Sequence, residues 1–382
     1  MKRLIDKWLE INLRVVVLTV LFLVAFDLAL THVIIPYYMN ADSDKVNASG
    51  GDVERGPRIR RLPADDLDTL ALWKQELADD EGFKVVFLGD SIIHGGGVPG
   101  DDQTIPSYLA YHLGSLQPDQ ELAVHTFSLP GCTPADTLNI LQFIIDTRPD
   151  LVIYDVNVGW FGSDKVMEHP RLAELDKPAP VNDQKTTDSS QKAGLEERLK
   201  GLVNDHWALY RYRILLNYLW FGEPLKEKLA LKIGGAEAED LLTSPEEVFK
   251  PWYEKDFSIL REQEGKLGFF ALDESNQHWM SYRQLVQVLE ENRIKAAFFM
   301  IPRNRTLYKK YNLLDESVLA AKQEQLAVAA RESGIKVYDY TYAVSDRCFT
   351  DTVHLTAEGN QAVARALTWD LVQSGLIEVG IP

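Results

Sequence analysis

Three residues in this chain of 382 have types and spacing that can do acyl-transfer chemistry. Ser91 stands in "KVVFLGDSIIHGGG", directly after an apolar run. Asp351 and His354 share the short segment "DTVH". A serine hydroxyl is a weak nucleophile and needs a base. A histidine supplies that base, and an aspartate three residues before it can reach the ring and stabilise its charged form. A tetrahedral intermediate also needs donors aimed at its oxyanion. The backbone N–H groups of Ser91 and Gly131 and the side-chain amide of Asn157 are candidates. Taken singly, each residue has a plainer explanation: a loop serine, a helix-start histidine, a turn glycine, a turn-capping asparagine.

The elements around these residues decide between the two accounts. "DDLDTLALWKQELADDEG" has apolar residues at helical spacing. Strand and helix then alternate: "FKVVFLG" as a buried strand, "TIPSYLAYHLGSL" as a helix, "ELAVHTFSL" as a strand, "ADTLNILQFIIDT" as a helix and "LVIYDVNV" as a strand. The rhythm resumes with a helix over "ESNQHWMSYRQLVQVLEENR", a strand "IKAAFFMI", a helix over "DESVLAAKQEQLAVAARESG", a strand "IKVYDY" and a closing helix over "TAEGNQAVARALTWDLVQSG". Short apolar strands alternating with amphipathic helices imply a mainly parallel five-stranded sheet covered on both faces. Between the halves, residues 159–273 break the rhythm. A polar, Pro-containing stretch at 176–194 reads as a mobile loop. An aromatic-rich helix is expected over 195–222, and more helix over "PEEVFKPWYEKDFSILREQE".

In open α/β sheets, ligands bind beyond the carboxyl ends of the strands. Ser91 follows the first strand, Gly131 the second and Asn157 the third. "PRNR" follows the fourth, and Asp351 and His354 lie between the fifth strand and the last helix. "GDS", a glycine after strand two, an asparagine after strand three and "DTVH" before the last helix resemble, in order and position, the four blocks of SGNH (GDSL-type) hydrolases. The resemblance covers residues 84–157 and roughly 275–375. It implies an SGNH-type three-layer α/β/α fold with a large helical insertion after strand three. It also implies Ser91 as nucleophile, His354 as general base and then acid, Asp351 as its orienter, and Ser91, Gly131 and Asn157 as the oxyanion hole. The chain departs from the pattern in the third block, normally Gly-x-Asn-Asp. Here it is "DVNV", with Asp155 for the glycine and Val158 for the final aspartate. If the family fold holds, Cys132 and Cys348 flank the same active-site mouth, and a disulfide between them is expected; the alternative is two separate buried thiols.

Other candidates are weaker. His94 lies near Ser91 in sequence and reads as structural or substrate-lining. His206 and His278 sit among aromatics and read as packing residues. No Cys/His/Asp spacing points to a metal, "GGG" at 95–97 lacks the Lys-Ser/Thr of a phosphate loop, and no cofactor is expected.

The N-terminus adds a location. From Val15 to Ile35 the chain is apolar apart from Thr19, Asp27, Thr31 and His32. That run is long enough for a bilayer core of roughly 30 Å. Lys2, Arg3, Lys7 and Arg14 precede it, which favours a cytoplasmic N-terminus, and Tyr37 and Tyr38 fit an interfacial belt. A cleaved signal peptide is the alternative; no clear small-x-small site follows the run. Asp27 is costly in lipid and suits a partner helix. The expected organisation is a cytoplasmic segment 1–14, a transmembrane anchor 15–36 and a linker 37–62. A hydrolase-like domain over 63–158 and 274–382 follows, interrupted by the insertion 159–273, and faces the periplasm or cell exterior. A net charge of −17 disfavours a nucleic-acid partner.

An anchor, an extracytoplasmic domain and an SGNH core together resemble anchored proteins of bacterial envelope acylation, including alginate and peptidoglycan O-acetylation proteins and the D-alanylation accessory protein of teichoic acids. The resemblance implies an ester substrate, most simply an envelope polysaccharide, and a multi-pass membrane acyltransferase as partner. Two alternatives stand beside it: a lipase or thioesterase acting on lipids or small esters, and a non-catalytic tethered subunit of an envelope assembly.

Overall fold

The computed structural model describes residues 2–35, 57–63, 65–116, 121–175, 207–208, 212–213, 216, 248–257 and 266–378. The expected loop at 176–194, most of the aromatic helix at 195–222 including His206, Tyr37, Tyr38 and most of the linker lie outside the described residues.

Five strands form one parallel sheet in the order β2-β1-β3-β4-β5. They are β1 (Phe83–Gly89), β2 (Leu122–Ser128), β3 (Leu151–Val156), β4 (Lys295–Met300) and β5 (Lys336–Asp339). The central strands read as continuous apolar runs because both faces are covered; every residue of β3 is buried. Side chains alternate between faces. On one face Val85, Phe87, Leu151, Ile153, Ala297 and Phe299 pack against two helices, α4 (Ile105–Leu116) and α9 (Ala357–Gln373). On the other, α5 (Pro134–Ile144) and α6 (Gln277–Glu291) pack together. There the Phe298 ring stands edge-on to Tyr154, 5.2 Å between centroids, and to Tyr282, 5.9 Å. The Tyr282 hydroxyl donates to the carbonyl of Leu326, 2.9 Å away in α8 (Glu316–Glu332). Among the described residues the remaining α-helices are α1 (Lys2–Ala29), α2 (Leu67–Asp79), the single turn α3 (Ser91–His94) and α7 (Arg305–Lys310).

This strand order sets the site. The chain winds outward from β1 in both directions, so the strand order reverses between β1 and β3, and a crevice opens there beyond the strand ends. Gly89 ends β1 and Val156 ends β3, delivering Ser91 and Asn157 to that crevice.

The chain divides into two compact units, residues 1–44 with 182–228 and residues 45–181 with 229–382. In the first, Arg14–Ile34 is an apolar helical stretch of 21 residues with mean hydropathy 2.3, long enough to cross a bilayer. Its hydroxyls are satisfied internally: Thr19 donates to the Val15 carbonyl at 2.8 Å and Thr31 to that of Asp27 at 3.0 Å. In the second, the end of the expected linker is packed rather than loose. Arg60 is buried, with its guanidinium 5.0 Å from the centroid of the Trp73 ring and ion-paired to Glu76. Of the helix expected through 245–264, residues 245–247 and 258–264 lie outside the described residues; among those described, Val248 and Phe249 are helical and Trp252–Glu254 is a short 3-10 turn. Pro251 explains the difference, because it has no N–H to donate and disfavours helix at the residue before it.

Phe298 is fully buried between two aromatic neighbours. Phe298→Ala should therefore cost about 3–5 kcal/mol, read as a lower denaturation midpoint of the detergent-solubilised chain.

Candidate active site

Asp90 and Ser91 leave β1 in a sharp turn. The Asp90 carboxylate caps α3 by accepting from the Ile92 N–H at 2.9 Å. Ser91 is the first residue of that turn. Among the described residues the backbone N–H groups of Ser91 and Gly131 make no hydrogen bond, so both are unspent donors.

His354 arrives from a distant part of the chain. A tight loop joins Phe349 and Leu355 by an antiparallel bridge, and the Thr350 N–H donates to the His354 carbonyl at 2.8 Å. Within it, Asp351 Oδ1 accepts from the N–H groups of Val353 and His354, at 2.9 and 2.8 Å. Its Oδ2 lies 2.6 Å from His354 Nδ1. The other ring nitrogen, Nε2, lies 2.7 Å from Ser91 Oγ. With Nδ1–H donating to Asp351, Nε2 is the ring's lone-pair nitrogen and faces the serine proton.

The electrostatics agree with the geometry. Burial alone would lower the His354 pKa, but the Asp351 charge and hydrogen bond outweigh it, with Asp90 adding to them, and it stands above the ordinary value of 6.5. Burial would raise Asp351, but the His354 charge and the hydrogen bonds outweigh it and hold the carboxyl below the usual range.

The third block completes the surroundings. Asn157 Nδ2 donates to Asp90 Oδ2 at 2.7 Å, and Asn157 Oδ1 accepts from Gly159 N at 3.0 Å and from an Arg303 guanidinium nitrogen at 2.8 Å. Trp160 Nε1 also donates to Asp90 Oδ2, at 3.0 Å. Asp155, in the place of the usual glycine, is 2% exposed and accepts from the Asp90 N–H at 3.2 Å. Its carboxyl fills the space beside Gly89, where any Cβ would collide with it. Burial, then the neighbouring Asp90 charge, push the Asp155 pKa well above the usual carboxylate range.

The glycine run "GGG" has a purpose that sequence reasoning missed. A Cβ on Gly96 would lie 2.7 Å from His354 Cδ2 and 2.8 Å from Nε2, and one on Gly97 would strike the Leu355 carbonyl. The loop is flush against the histidine because it lacks side chains there. Arg61 ties it down, donating to the carbonyls of His94, Gly95, Val98 and Pro99 at 3.4, 3.5, 3.4 and 2.9 Å. Trp252 and Lys255, in the expected insertion, hold the His354 loop from outside. The Trp252 N–H donates to the Phe349 carbonyl at 3.0 Å, its Nε1 to the Asp346 carbonyl at 2.7 Å, and Lys255 Nζ to the Thr350 carbonyl at 2.9 Å. No spacing rule could have found these contacts, since they are made across the fold.

Other candidates fall away from the chemistry. The His94 pKa is lowered to about 4 by burial first and Arg61 second, and its Nδ1 lies 3.0 Å from the Ser128 carbonyl. It is a neutral structural contact. His278 is buried beside Phe161, with Nε2 3.2 Å from the Ser163 carbonyl. No cluster of three metal-ligating side chains occurs among the described residues. The expected disulfide is not formed: Cys132 and Cys348 are both free, buried thiols. Cys132 precedes α5 on one face of the sheet, with Sγ 3.5 Å from Thr137 Oγ1. Cys348 packs at the start of α9 on the opposite face, where a Cβ on Gly359 would meet its carbonyl oxygen at 2.7 Å. The two thiols lie beside helices on different faces of the sheet, so flanking one mouth in sequence does not bring the sulfurs together.

The His354 pairing has a direct readout. In an NMR titration its imidazole should titrate above 6.5, and Asp351→Asn should drop it below 6.5, because burial is then less opposed.

Residues 229–368, well under half of the chain, match the family model described as DltD protein. This span holds Asp351 and His354 but not Ser91. No curated protein matches the chain. Among solved structures, Axe2, an acetylxylan esterase from Geobacillus stearothermophilus, is 15% identical, covers 76% of this chain and 94% of its own, and has a TM-score of 0.39. The acetyl xylan esterase AlAXEase is 13% identical over 76% of this chain and 99% of its own, also at 0.39. LAE5, an alpha/beta hydrolase from the metagenome of Lake Arreo, Spain, is 14% identical over 78% and 98%, at 0.35. At these values the likenesses carry no argument about the site. The chain has a five-stranded parallel sheet in an α/β architecture, and residues 229–368 are similar to DltD proteins.

Proposed function

We propose that the protein is a membrane-anchored serine esterase or O-acyltransferase whose domain works outside the cytoplasm on an ester of a cell-envelope carbohydrate. The observation that carries this reading is the relay Ser91 Oγ, His354 Nε2, His354 Nδ1 and Asp351 Oδ2, with links of 2.7 and 2.6 Å.

In this mechanism His354 Nε2 takes the hydroxyl proton as Ser91 Oγ attacks the ester carbonyl carbon. The carbonyl electrons move onto oxygen, and the N–H groups of Ser91 and Gly131 and one N–H of Asn157 receive that charge. On collapse the alkoxide leaves with the proton from His354, and an acyl ester on Ser91 remains. An acceptor hydroxyl then gives its proton to His354 and attacks the acyl carbon, and Ser91 is released with the proton returned. Water as acceptor makes an esterase, and a sugar hydroxyl makes a transferase.

The match of residues 229–368 to the DltD protein model favours envelope acyl transfer over lipid hydrolysis. The apolar helix Arg14–Ile34 suits an anchor, with the basic N-terminus inside and a multi-pass acyltransferase as neighbour.

The full chain in detergent should release p-nitrophenol from an acetyl ester, and Ser91→Ala should abolish it. An oligosaccharide should divert the acyl group from water to sugar, read by mass spectrometry. Ester turnover that survives Ser91→Ala would overturn the mechanism, and a preference for long acyl chains without transfer would favour the lipase reading. The acid limb of kcat/KM should lie above pH 6.5, because His354 acts as base only when neutral and its pKa is raised. Gly96→Ala, which pushes on the His354 ring, should lower kcat by about tenfold or more, since small misplacements of a catalytic group cost up to ~100-fold.

A further inference from the structure

Arg303 is a buried cation that the mechanism so far leaves unused. It lies just after β4, is 2% exposed, and has no carboxylate within ion-pair distance among the described residues. Its backbone N–H donates to the Thr341 carbonyl at 3.0 Å. One guanidinium nitrogen donates to the Tyr308 hydroxyl at 3.0 Å and another to Asn157 Oδ1 at 2.8 Å, while Nε is buried without a partner. A desolvated guanidinium without a countercharge is costly. A tie between two loops needs no charge, so the contact it makes with Asn157 asks for another account.

The Asn157 amide supplies one. Its oxygen accepts from both Arg303 and Gly159 N, and its nitrogen spends one N–H on Asp90. Arg303 has donors only. A flipped amide would set its NH2 against two donors and its oxygen against a carboxylate, so that orientation is forbidden. The remaining Asn157 N–H is the donor left for an oxyanion. We infer that Arg303 is a positioning residue that locks the Asn157 amide in the one orientation that presents this N–H to the transition state. The inference rests on the proposed role of Asn157 in the oxyanion hole.

A double-mutant cycle tests this with p-nitrophenyl acetate and the full chain in detergent. Asn157→Ala should lower kcat by ~100-fold or more, as loss of an oxyanion donor does. Arg303→Gln should lower kcat by about tenfold or more with KM near that of the unaltered protein, because a transition-state contact is lost, and should add nothing in the Asn157→Ala background. Arg303→Lys, which cannot span both Tyr308 and Asn157, should recover part of the loss. If Arg303→Gln does not fold, Tyr308→Phe decides, since it loosens the guanidinium without touching Asn157. A kcat loss seen only with Asn157 present supports the inference; the same loss in both backgrounds, or none in either, overturns it. A rise in KM without a fall in kcat for Arg303→Gln also overturns it. If Asn157→Ala keeps full kcat while Ser91→Ala is inactive, the oxyanion role of Asn157 fails and the inference with it, but the serine mechanism stands.

Discussion

Everything at this site depends on one hydrogen bond between residues 263 positions apart, His354 Nε2 to Ser91 Oγ at 2.7 Å. It is a long-range contact of high entropic cost, and a rigid frame at both ends holds it. At one end, the α3 turn is capped by Asp90 and seated on the Asp155 carboxyl. At the other, Asp351 binds two backbone N–H groups and the imidazole at once, so the loop that presents the ring is stiffened by the group that polarises it.

The parallel sheet makes that meeting possible. Strands β1 and β3 lie side by side although an α/β crossover separates them in sequence, and the reversal of strand order between them leaves a crevice at their carboxyl ends. Asp90 links the two sides by capping the α3 turn with one oxygen and holding Asn157 and Trp160 with the other. A buried carboxylate that accepts three donors is well solvated by the protein, and its charge contributes to the raised pKa of His354.

Much of this was legible in the sequence, for a physical reason. Strands buried on both faces write themselves as apolar runs, and their ends are marked by abrupt polar residues, so Ser91, Asn157, Asp351 and His354 could be placed before any coordinates. Contacts that depend on the path of a loop were not legible. "GGG" carries no local signal of the histidine it faces, and "PRNR" none of the amide it touches. The disulfide expectation failed on the same ground, because proximity to one crevice does not say on which side of a sheet a thiol lies. Trp252 and Lys255 fell in a stretch read as helix, where Pro251 had the stronger say.

The glycine loop has a consequence for the choice of acceptor. On the side of Gly96 and Gly97 the imidazole is backed by main chain, and Arg61 fastens that main chain through four carbonyls. Main chain has no rotamers to exchange, so this wall stands in the same place when the acyl group arrives and when it departs. Under the proposed mechanism, this wall serves water and a sugar hydroxyl alike, and discrimination between them would fall to parts of the site other than this wall.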